Sequence, residues 1–159
     1  MQEHITSLIR EAANKSDHID DVDHPRDTTW HLATLQSSVL VRVEHLENLE
    51  ALSFAAELEV ESDVEIPFEM LMNFNSLVDD TGVFVSLDGD GGPISIRRVI
   101  TTRDVSAADI VAAVEATAPK VLSLGAILPD AASVPISEDP GEGSSEKGVF
   151  GADFAVFRG

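Results

Sequence analysis

From Leu52 to Glu61 the chain alternates: Leu52, Phe54, Ala56, Leu58 and Val60 interleave with Ser53, Ala55, Glu57, Glu59 and Glu61. Successive side chains of a strand point to opposite faces of a sheet, so this pattern predicts an antiparallel strand with one face buried and the other acidic and solvated. A helix would scatter the same apolar residues around its circumference. The chain therefore builds a sheet with one covered face, and the other segments must supply the cover.

Two segments before it also read as strands, Thr28 to Gln36 around Trp30 and Leu32, and Ser38 to Leu46 with Val39, Val41 and Val43 on one face. Ile5, Leu8, Ile9, Ala12 and Ala13 recur at helical spacing and predict an amphipathic N-terminal helix. Ser16 to Asp27 reads as an acidic loop. A helix is expected from Pro67, which suits a first turn, to Val78. Its polar residues Glu69, Asn73 and Ser76 make one narrow stripe, while Phe68, Met70, Leu71, Met72 and Phe74 cover much of the rest. A helix this apolar is buried on more than one side, either within the core or in a dimer interface.

Val83, Val85 and Leu87, a Gly/Asp turn from Asp88 to Gly92, and Ile94, Ile96 and Ile100 then predict a hairpin. Ser106 opens a last helix with Asp109 in a capping-box position, and Pro119 is expected to kink or split it. Residues 1–128 thus read as one α+β domain in the order α-β-β-β-α-β-β-α, an antiparallel sheet with flanking helices. Residues 129–148, rich in Pro, Ser, Gly and acidic residues, read as a flexible linker. Residues 149–159, with Val149, Phe150, Phe154, Val156 and Phe157, form an apolar tail.

The chain has 159 residues, 43% of them hydrophobic, enough for one sizeable core. Its formal net charge of −19 opposes polyphosphate backbones and anionic membrane surfaces, leaving basic or amphipathic polypeptides as better partners. The same charge serves solubility by itself. No cysteine is present, which excludes disulfides and thiolate chemistry and suits a reducing compartment. No apolar run approaches the roughly 20 residues of a membrane helix, so a cytoplasmic protein is expected.

No chemistry-bearing motif is complete. His18, Asp20, Asp23 and His24 hold ligand types suited to a divalent ion, although a solvated acidic loop has the same composition. Asp88 to Gly92 suggests a calcium loop, but Gly92, Pro93 and Val99 stand where ligands and a glycine are required, and the glycines do not form a dinucleotide fingerprint. His31 and His45 lie in strand-like segments with no nucleophile elbow near any serine. Arg97, Arg98 and Arg103 concentrate positive charge that either pairs with Glu57 or Glu59 or anchors a partner's carboxylate. Neither an enzyme nor a cofactor is expected.

The element order, with the apolar helix ending near Phe74-Asn75, the strand Gly82-Val83-Phe84-Val85-Ser86-Leu87, the acidic turn, the Ile94 to Ile100 strand and the Ser106-capped helix, resembles the superfamily of type III secretion chaperones and the related YbjN-type bacterial sensory transduction regulators. The resemblance implies a small, acidic, cytoplasmic homodimer that holds an extended protein segment against its sheet. On that basis Phe68, Met70, Leu71, Met72 and Phe74 are the expected dimer interface, and the apolar tail is a candidate occupant of the client groove. A regulatory adaptor responding to a small molecule or metal is the other class the sequence admits.

Overall fold

The structure is a computed structural model that describes residues 2–35, 37–60, 68–76, 81–87, 93–128 and 131–133. Helix α1 spans Gln2–Lys15, followed by β1 (Ile19–Arg26), β2 (Thr29–Thr34), β3 (Leu40–Leu46) and β4 (Ala51–Val60). Helix α2 (Phe68–Ser76), β5 (Val83–Leu87), β6 (Ile94–Thr101), α3 (Ala107–Ile127) and β7 (Ala131–Ser133) complete the described chain. The strands form one sheet in the order β1-β2-β3-β4-β6-β5, with β7 added beside β4, and every pairing is antiparallel. The α+β class and the flanking helices are as the sequence predicts.

The register explains the covered face. Trp30 pairs with Val43, Val43 with Phe54, and in the next rung Leu32, Val41, Ala56, Ile96 and Val85 line up across five strands. Trp30, Val41, Val43, Phe54 and Ile96 are almost wholly buried. Helix α1 lays Ile5, Ile9 and Ala12 on this layer, and α3 adds Ile110, Val114, Val121 and Leu124. Burying each large aliphatic or aromatic side chain is worth about 1.5–3 kcal/mol before the entropy of ordering is subtracted. Helix α3 is long and apolar enough to cross a membrane, contrary to the expectation that no segment reaches that length, but its apolar stripe packs into this core.

Three further expectations are corrected. The predicted acidic loop is mostly strand β1, so four strands rather than three precede α2. β1 escapes the period-2 reading because it is an edge strand exposed along most of its length, with Ile19 alone buried. Pro119 does not split the last helix: α3 continues through it, anchored on both sides by the buried Ala118 and Val121. The segment read as linker contains β7. The tail at 149–159, the turn at 88–92 and the ends of the second helix at Pro67 and Val78 lie outside the described residues.

Candidate protein-binding surfaces

Helix α2 divides the five residues expected at a dimer interface. Leu71 is 4% exposed and belongs to the core of its own chain, and Met70 and Phe74 pack against that core. Phe68 and Met72 are 64% and 44% exposed. One helical turn apart, they form an apolar stripe on the outer side. The helix is fixed to the sheet by Asn75, whose Nδ2 donates to the Val85 carbonyl at 3.2 Å and whose Oδ1 accepts the Val85 amide at 2.6 Å. Both backbone groups of Val85 are thus taken by a side-chain amide on the side away from β6.

At the opposite edge, the Val22 and His24 amides of β1 each donate at 2.8 Å to the carboxylate of the preceding residue, Asp21 and Asp23. This local satisfaction places a row of negative charge where another chain would otherwise pair.

The proposed metal ligands are not brought together. His18 reaches across to α3, its Nε2 lying 3.2 Å from Glu115. Asp20 is exposed on β1, and Asp23 binds the His24 amide. The His24 ring stacks on Trp30 with centroids 5.0 Å apart and the planes within 5°. Among the described residues no group of three or more metal-ligating side chains converges. His18 and Glu115 line a shallow cavity of about 280 Å³ with Thr34 and Ser37. The Thr34 hydroxyl contacts Ser37 at 2.6 Å and donates to the Val39 carbonyl at 2.9 Å, closing the β2–β3 turn.

The second sheet face is polar, but it is not the solvated acidic face expected for β4: Ser53, Ala55 and Ser95 on it are buried, because a strand in the middle of the sheet is flanked by long side chains of its neighbours. Arg42 bridges to Glu57 at 2.9 Å and lies 3.6 Å from Glu44. His31, directly opposite Arg42, has its imidazole pKa pushed down, chiefly by burial and further by the Arg42 charge, against the opposing pull of Asp23, Glu57 and Glu44. Of the arginine cluster, Arg97 donates to Ser95 at 3.1 Å and Arg98 to the Ala112 carbonyl of α3 at 3.0 Å. Arg98 therefore ties a helix to the sheet. Sequence reasoning missed Asn75 and Arg42, whose roles depend on a tertiary register that local periodicity does not encode.

The chain matches no protein-family model and no curated protein. Its fold is that of solved secretion-chaperone structures. The ExsC–ExsE complex aligns at a TM-score of 0.60 with 17% identity, covering 81% of this chain and 96% of the other. The HopA1–SchA chaperone–effector complex aligns at 0.56 with 14% identity, over 77% of this chain and 91% of the other. The Yersinia pestis type III secretion chaperone SycH, solved with a stable fragment of YscM2, aligns at 0.54 with 13% identity, over 74% of this chain and 97% of the other. At these identities the likeness is one of fold.

Proposed function

We propose that this chain is a non-enzymatic, chaperone-like protein that acts as a cytoplasmic homodimer and holds an extended segment of a client polypeptide. The observation that carries this reading is the fold, shared over about three-quarters of the chain or more with chaperones solved together with protein partners. It supports the chaperone side of the sequence resemblance. The outer stripe of α2 supports the dimer, since Phe68 and Met72 expose large apolar side chains that a second copy would cover. The net charge of −19 favours basic or amphipathic clients by steering encounter.

The test is mass in solution by light scattering for the parent, Phe68→Glu and Met72→Glu. A parent dimer that becomes a folded monomer in either variant supports an α2 interface. A monomeric parent at micromolar concentration sinks the homodimer.

A further inference from the structure

A strand can join a sheet only where backbone N–H and C=O groups are not already held in a ladder. In the described residues the two edges are guarded. Asp21 and Asp23 occupy the Val22 and His24 amides of β1, and Asn75 occupies both backbone groups of Val85 in the middle of β5. A third place lies inside the sheet. β3 accompanies β4 only as far as the Val41–Ala56 pair, while β4 continues to Val60. Leu58 pairs with Ile94 of β6 on one side, so its other partner, Ser133 of β7, fills the notch in line with β3.

We propose that β7 is a placeholder strand: the notch beside Leu58–Val60 is a strand-acceptor site, and an extended segment of another polypeptide displaces β7 and pairs antiparallel with β4. β7 is built to be displaced. It has 3 residues, Ala-Ala-Ser, with little strand preference. Pro129 and Pro135 bracket it two residues away on either side, and the Val41–Ala56 pair blocks its growth toward β3. An incoming segment forms the same ladder with better strand formers, so the site selects Val, Ile or Thr at the pairing positions. The charge of −19 rejects an acidic segment. Because β7 is tethered, it competes at millimolar effective concentration, which confines capture to segments that pair better than Ala-Ala-Ser.

This inference rests on the protein-binding reading, but its test is independent of oligomeric state. The chain contains no cysteine, so Glu59→Cys with Ala132→Cys introduces a single possible disulfide between directly opposed residues, locking β7 in place. The probe is a rhodamine-labelled peptide copying residues 129–137 with Asp130→Lys, Ala131→Val, Ala132→Thr and Ser133→Val, titrated by anisotropy into full-length protein. Binding at least tenfold tighter to the reduced than to the oxidised double variant is expected. Ala132→Pro, which weakens the β7 ladder without a crosslink, is expected to bind the probe more tightly than the parent.

Equal affinity for the oxidised and reduced forms overturns the proposal. So does the absence of binding to both the reduced variant and Ala132→Pro at millimolar peptide, with circular dichroism showing each to be folded. Either result leaves the light-scattering test of the homodimer untouched, and a monomeric parent leaves this one untouched.

Discussion

Arg42 and Glu57 meet diagonally across β3 and β4, Nη1 to Oε1 at 2.9 Å, with the two side chains 25% and 32% exposed. Arg42 has no second close acceptor, since Glu44 lies 3.6 Å from Nε, and Nε and Nη2 have no hydrogen-bond partner among the described residues. Glu57 is thus what makes a half-buried guanidinium tolerable on this face. Glu57→Gln is expected to lower stability by about 1 kcal/mol, and a double-mutant cycle with Arg42→Met should return a coupling of similar size. Additivity of the two single changes in urea denaturation would show the pair to be energetically idle.

His31 gives the fold a dependence on acid. Its pKa is lowered from 6.5 in the folded state, chiefly by burial, so the folded chain binds fewer protons than the unfolded one as pH falls below that value. The stability tied to the neutral ring is therefore complete above pH 6.5 and is lost as pH falls through the folded pKa. The melting temperature should decline from pH 7 to pH 5, and His31→Gln should flatten that decline. An identical slope in the variant would assign the acid sensitivity to other groups.

The N-terminus of α3 carries a reciprocal cap: the Ser106 side chain accepts the Asp109 amide at 3.3 Å, and the Asp109 carboxylate accepts the Ser106 amide at 2.9 Å. Ser106→Ala is expected to cost about 1 kcal/mol, measured by chemical denaturation. Hydrogen bonds from Ser106 hold the Asp109 carboxyl below its ordinary 3.8, so this contribution is present above that pH and lost as acid protonates the group. The Ser106→Ala deficit should therefore shrink when remeasured at pH 3.

His45 is the converse case. It lies opposite Leu52 on the covered face of β3, is 6% exposed, and neither ring nitrogen has a hydrogen-bond partner among the described residues. Its backbone amide, which donates to Thr28 at 2.9 Å, does not require the ring. Replacing a buried, unsatisfied polar side chain by an apolar one of similar size relieves a desolvation penalty. His45→Leu is expected to raise stability by about 1 kcal/mol. A lower melting temperature would reveal a ring partner of structural value.

Much of this was legible in the sequence where local order carried the signal. The alternation from Leu52 to Val60 lies in β4, and Ser106 with Asp109 forms the predicted box, because capping needs only residues three apart. β1 was missed because an edge strand has little apolar face to betray its period, and β7 because Ala-Ala-Ser among prolines and acidic residues has the composition of a linker. The ligand set at His18, Asp20, Asp23 and His24 dissolved for another reason. The chain is extended there and its register shifts between Ile19 and Asp21, while His18 turns to Glu115 and His24 stacks on Trp30, so proximity in sequence did not become convergence in space.

The order β1-β2-β3-β4-β6-β5 also sets a timetable. The first three strands each pair with their immediate successor, so each ladder closes a short loop and the meander β1 to β4 can zip in chain order. The β4–β6 ladder, by contrast, joins Leu58 to Ile94 and must wait for α2 and β5 to be made and folded back. Joining the hairpin to the meander is therefore the slow entropic step. Until it happens, the β6 side of β4 is a bare strand edge in the nascent chain, so this segment is more vulnerable to misassembly during synthesis than at any later time.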